Sequence, residues 1–144
     1  MDTTTSGVEQ LRALMGQGAP GVGITRLLGM QLEVLEPGTV AFSLQTREDM
    51  GNAIGVVHGG IAATLLDSAL GCAVHSTLQQ GERYTTVDLH LHYTRAIAID
   101  LGKIVATGEV VHRGSRLATA EGRLLGPDGK LLAHGTTTCM VMAA

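Results

Sequence analysis

Aromatic residues are nearly missing: the 144-residue chain has no tryptophan, one phenylalanine and two tyrosines. A core so short of rings must be aliphatic, and any apolar pocket must be lined mostly by Leu, Ile, Val, Met and Ala. Basic residues are not in excess either. Ten Lys and Arg against 13 Asp and Glu leave a net charge of −3, which argues against nucleic acid or an anionic membrane surface as a partner. No apolar run is long enough to span a bilayer. The N-terminus carries Asp2 and a threonine run, with no basic region ahead of an apolar segment, so it does not read as a signal peptide. Cysteine occurs twice, at Cys72 and Cys139, without metal-ligand or redox spacing. Both read as reduced core thiols, and the expected location is cytoplasmic. His90 and His92 share a strand face, but the other four histidines are scattered and no Cys or carboxylate completes a ligand set. Neither a metal nor a cofactor is expected. Internal repeats, low-complexity tracts, a serine nucleophile elbow and a phosphate loop are missing too.

What remains is one domain's worth of sequence. Ser6-Gly7-Val8-Glu9 has capping-box spacing, and Val8, Leu11, Leu14 and Met15 give a short helix one apolar face. Its polar face holds Glu9 and one Arg, which fits packing on its own domain or a neighbouring subunit better than a membrane. Gly16, Gly18, Pro20, Gly21 and Gly23 then break regular structure. Residues 1–23 are therefore read as an N-terminal helix and Gly-rich linker, and 24–144 as the main domain. Ile24 to Gly29 suits one helical turn. Strands are expected over Met30–Leu35 and Thr39–Thr46, joined by a turn at Glu36-Pro37-Gly38. Further strands are expected over Tyr84–Thr94, Leu101–His112, Arg116–Leu125 and Leu131–Met142, with a turn at Gly126-Pro127-Asp128-Gly129. The pattern is α+β: a curved, mostly antiparallel sheet of five to six strands wrapped around one long helix.

That helix carries its apolar spacing over Ile61–Leu78, directly after His58-Gly59-Gly60, and Gly59 and Gly60 are expected to open it. Its apolar residues fill too many rows for a helix on the outside of a domain. Among them stands one carboxylate, Asp67. Aspartate is a poor helix former, and burying its charge costs several kcal/mol in rough terms. Nine positions separate His58 from Asp67, roughly 13 Å along a straight helix and on opposite faces. If both serve one site, two chains must share it, their helices side by side and antiparallel. The Tyr84–Thr94 strand alternates Val87, Leu89, Leu91 and Tyr93 against Thr86, Asp88, His90 and His92. A strand of this kind at a sheet edge can pair with a second copy and bring the helices together.

Asn52, His58-Gly59-Gly60 and Asp67 in this spacing resemble the signature of PaaI-type (phenylacetate-degradation) hotdog-fold acyl-CoA thioesterases. Leu28-Gly29-Met30, Glu36-Pro37-Gly38, Thr86-Val87-Asp88-Leu89, Tyr93-Thr94-Arg95 and His112-Arg113-Gly114 agree with it in order, so the likeness spans residues 24–142. The resemblance implies hydrolysis of an aryl-acetyl or short- to medium-chain acyl-CoA by a homodimer with shared sites, itself pairing into a dimer of dimers. It implies the Gly59 N–H as donor to the thioester oxygen, with Gly60 lining the substrate. Asp67 of the partner chain becomes base or nucleophile. Asn52 and His58 orient the thioester and the water, and Thr86 helps position the water. Thr86 has the wrong strand parity to reach Asp67 unless a bulge intervenes. CoA phosphates call for basic groups, for which Arg95, Arg113, Gly114, Ser115 and Arg116 are the candidates. Ala96 stands where the family commonly has Pro, and Ser115 where Arg or Lys is frequent, which weakens the nucleotide contacts more than the hydrolytic set. Two rivals on the same fold are a non-catalytic acyl-CoA-binding module and a dehydratase or hydratase.

Overall fold

The computed structural model describes residues 3–16 and 21–144. The expected Gly-rich break falls partly on residues 17–20, outside that description. Two short helices, α1 (Gly7–Met15) and α2 (Gly23–Leu28), precede strands β1 (Gln31–Glu36) and β2 (Thr39–Gln45). A single 3-10 turn, Glu48–Met50, leads to the long helix α3 (Gly59–His75). Then come β3 (Glu82–Tyr93), β4 (Lys103–Arg113), β5 (Leu117–Leu125) and β6 (Leu131–Ala143). All six strands form one antiparallel sheet in the order β1-β2-β4-β5-β6-β3. This is the expected hotdog architecture, with six strands. β3 crosses the sheet after α3 and pairs only with β6, so it is an edge strand as expected.

The helix begins and ends earlier than the apolar pattern indicates, and side chains set both limits. His58 caps the start, so Gly59 and Gly60 form the first turn. At the other end the Ser76 hydroxyl donates to the Ala73 carbonyl (2.6 Å) and Thr77 to Val74 (2.7 Å). Such bonds compete with the helical ladder and stop it at His75. Leu65, Leu66, Ala69, Leu70, Ala73 and Val74 are completely buried against the sheet, with the lone Phe42 among the strand residues beneath them. α1 packs on the far end of this helix. Gly7 N–H donates to the Leu78 carbonyl (3.0 Å), Leu11 is buried, and Gln10 Oε1 lies 3.0 Å from His75 Nε2.

β3 departs from simple alternation. Its register on β6 shifts between Thr86 and Asp88, leaving Val87 as an extra residue that bulges outward and is 57% exposed. Val87 therefore does not share a face with Leu89 and Leu91, as plain alternation requires. Thr86 does, because it pairs with buried Cys139 on the helix side. A bulge leaves ladder groups unpaired. Here Asp88 repairs the break: its Oδ1 accepts from Thr138 N (2.9 Å) and its carbonyl accepts from the Thr137 hydroxyl (2.7 Å).

Candidate active site

The start of α3 is held by three hydrogen bonds that fix two consecutive peptides. His58 carbonyl accepts from Ile61 N (2.9 Å), which sets the His58–Gly59 peptide plane. The Gly59 N–H of that plane has no partner among the described residues, and first-turn amides lie at the positive end of the helix dipole. The next peptide is held from both sides: His58 Nδ1 accepts from Gly60 N (2.8 Å), and the Tyr93 hydroxyl donates to the Gly59 carbonyl (2.9 Å). The Gly60 amide is committed to His58, so it is not an open donor, and His58 caps the helix through Nδ1. Because Nδ1 accepts a hydrogen bond from Gly60 N, the neutral ring carries its hydrogen on Nε2, which leaves that N–H as an outward donor.

Asp67 lies on the one stripe of α3 that its own sheet covers least, with Gly60, Thr64 and Ser68. It is half-buried in the single protomer rather than walled in on every side. No hydrogen bond or cation satisfies it among the described residues. Partial burial alone raises its carboxyl above the ordinary 3.8, toward greater basicity. Around it stand Cys72, Tyr84 and Cys139, each of whose proton affinity is raised in part by the Asp67 charge. Burial is the larger cause and pushes the Cys72 thiol up to about 12, so it is inert as a nucleophile. Cys139 is buried and touches the hydroxyls of Thr86 and Thr137. The bulge thus brings Thr86 onto the face beside the Asp67 neighbourhood.

Asn52, Gly59, Tyr93 and Arg95 line an open cleft of about 310 Å³, with Val56, Val57, Ala62 and Ile97 as its apolar wall. Asn52 Oδ1 is used inside its own loop, accepting from Ile54 N (3.1 Å) and Val56 N (3.2 Å). Its amide nitrogen is left for the cleft. The candidate phosphate-binding residues divide. Arg95 rims this cleft, whereas the Arg113–Arg116 turn lies beside Thr77, at the other end of α3. Arg113 is spent internally on the Glu82 carboxylate, the Gly114 carbonyl and the Thr77 hydroxyl. It is no free phosphate ligand within the protomer. The Gly114 amide closes the turn on the Leu117 carbonyl (2.8 Å), and Ser115 and Arg116 are exposed beside a separate recess. No group of three or more His, Cys, Asp or Glu able to hold a metal occurs among the described residues.

An unpaired carboxylate on the uncovered stripe of α3 and an open amide at the start of that helix are groups that suit acyl transfer to water, and comparison with known proteins agrees. The family description "Thioesterase superfamily" matches residues 54–133, from the loop before His58 to the start of β6. The chain belongs to the thioesterase superfamily. Human acyl-coenzyme A thioesterase 13 is 33% identical over 137 residues, covering 93% of this chain and 96% of the relative. A putative esterase of Halobacterium salinarum is 36% identical over 104 residues, 69% of this chain and 67% of its own. Among solved structures, a thioesterase family protein from Silicibacter pomeroyi superposes with a TM-score of 0.80 at 25% identity, covering 96% and 97% of the two chains. This thioesterase-superfamily chain is accordingly a thioester hydrolase. Among its described residues no helix is long and apolar enough to cross a membrane. Sequence reasoning overlooked one residue at the helix start. Tyr93 was noted in the Tyr93-Thr94-Arg95 motif but given no role, although a tyrosine at a strand end facing glycines is a candidate hydrogen-bond donor.

Proposed function

We propose that the chain hydrolyses an acyl-CoA to free acid and CoA at sites shared by two protomers. The carrying observation is Asp67, unpaired, half-buried and raised in basicity on the uncovered stripe of α3. Its own helix start is roughly 13 Å away, so the complementary donor comes from a second chain. Pairing of two β3 edges would set the helices side by side with Asp67 of one facing Gly59 of the other. The thioester oxygen then takes hydrogen bonds from Gly59 N–H and His58 Nε2–H. Asp67 removes a proton from water as the water adds to the carbonyl carbon, or adds directly as a nucleophile. On either route the tetrahedral oxyanion collapses, the C–S bond breaks and CoA leaves as thiolate. On the base route the thiolate takes up the proton held by Asp67, and on the nucleophile route water then hydrolyses the acyl–Asp67 anhydride to free acid. Thr86 and the Asn52 amide hold the water and the thioester in line. Arg95, with the partner's exposed Arg116 turn, supplies cationic contacts for the nucleotide.

The acyl-CoA assignment is supported by the name of the human relative. An aryl-acetyl or short- to medium-chain acyl group, as in PaaI-type enzymes, suits an aliphatic cleft of this size. A dimer of dimers in the cytoplasm completes the reading. Thiol release measured over an acyl-CoA panel tests it. Asp67→Ala should cut kcat by about 10²–10⁴-fold with KM little changed, and His58→Ala should cost less. Wild-type turnover in Asp67→Ala on every hydrolysed substrate overturns the mechanism. Tight acyl-CoA binding without thiol release makes the chain a binding module instead.

A further inference from the structure

The Gly59–Gly60 peptide joins the two glycines that open α3. With no Cβ on either side, it can rotate at little steric cost. Rotation would turn the Gly60 N–H away from His58 and release the imidazole. The helical bond from Ala63 N–H to the Gly59 carbonyl opposes this, and so do two side-chain contacts: His58 Nδ1 on the amide side (2.8 Å) and the Tyr93 hydroxyl on the carbonyl side (2.9 Å). Tyr93 reaches across from the end of β3, 34 positions away in sequence, and its ring lies over Gly59, where an added Cβ would be 3.4 Å from it. A donor on a peptide carbonyl also polarises the same peptide's N–H, so the two bonds strengthen each other.

We infer that Tyr93 is a positioning residue that acts through the Gly59–Gly60 peptide on His58. It keeps the imidazole in the Nε2–H tautomer, with that hydrogen aimed out of the helix start. The chain of contacts runs from the Tyr93 O–H to the Gly59 carbonyl, through the peptide to the Gly60 N–H, and on to His58 Nδ1. Tyr93 touches no reacting atom. The role rests on the thioesterase reading above for its effect on rate, but its structural half stands apart from it.

The experiment uses the full chain and Tyr93→Phe, which removes only the hydroxyl. Nitrogen-15 spectra of the histidine side chains report the tautomer without any turnover. Wild type should show His58 with Nδ1 unprotonated and Nε2 protonated, and Tyr93→Phe should show a mixture. Loss of one hydrogen bond of this kind predicts a fall in kcat of about three- to tenfold with KM unchanged. In a His58→Ala background the same substitution should have no further effect. A proton on Nδ1 of wild-type His58, an unchanged tautomer in Tyr93→Phe, or full multiplication of the two rate effects each overturns the inference. If instead Asp67→Ala retains turnover while the tautomer shifts as stated, the reaction assignment fails and the positioning does not.

Discussion

The two ends of α3 carry a histidine each, and the two are used in opposite ways. His58 at the start is exposed and caps its own helix, with one ring nitrogen left facing outward. His75 at the finish is buried, 3% exposed, packed edge-on to the Tyr84 ring and bonded to Gln10 of α1. Around the first, polar groups are left partly unsatisfied: the Gly59 amide and the Asn52 amide nitrogen. Around the second, α1, the Thr77 hydroxyl and the Arg113–Glu82 pair leave little open. A helix pinned at one end can hold its other end ready without being rigid throughout. Substitutions at the pinned end should therefore move stability, and those at the open end should move rate.

Gly7→Ala is the sharpest test of the pinned end. A Cβ at Gly7 would lie 1.8 Å from the His75 carbonyl oxygen, a backbone atom that cannot swing aside. α1 must shift, loosening the Gln10–His75 bond and the buried Leu11. Overpacking of this kind costs roughly 1–3 kcal/mol. The expected result is a midpoint several degrees lower by calorimetry, with kcat of the folded enzyme kept. A large loss of kcat at a temperature where the variant is fully folded would mean that the two ends are coupled.

Acid should loosen the same end by a smaller amount. Burial lowers the His75 proton affinity below the ordinary value of 6.5, so the unfolded chain takes up the proton first. Stability from this group is complete above pH 6.5 and is lost as pH falls from there toward the depressed value. The groups facing the ring are the Tyr84 phenol and the neutral Gln10 amide, and neither ionises in that window. Melting curves from pH 7.5 to 5 should fall more steeply for wild type than for His75→Gln. Parallel slopes would remove His75 as the cause.

How much of this was readable from residues alone depended on whether a feature is periodic or rests on one contact. The strands and α3 carry their apolar rhythm in the sequence, and the turns at Pro37-Gly38 and Pro127-Asp128 mark their ends. The glycine pair marked the start of the helix at Gly59, but its finish was missed because Ser76 and Thr77 act by single side-chain bonds that apolar spacing does not register. The bulge was legible as a contradiction: Thr86 had the wrong parity for its supposed place, and one extra residue, Val87, resolves it. Which face of Arg113 would be free was not legible, because Glu82 and Thr77 approach it only through the tertiary fold. Tyr93 was hidden for the same reason, since its target is a backbone carbonyl and leaves no trace in residue type.

The smallest effect belongs to Asp67 itself and has the opposite sign. Its carboxyl is held above 3.8 by burial, so the folded chain binds that proton more tightly than the unfolded chain does. Ionised Asp67 therefore opposes folding at neutral pH, and the opposition fades as pH falls through the raised value toward 3.8. Asp67→Asn keeps the shape and removes the charge. It should melt slightly higher than wild type at pH 7 and lose that advantage near pH 4, while losing nearly all turnover. A carboxylate kept for chemistry costs stability in this way, whereas one kept for structure returns it. If Asp67→Asn melts lower than wild type at pH 7, the aspartate is paired with a donor, and its place on the uncovered stripe of α3 is structural.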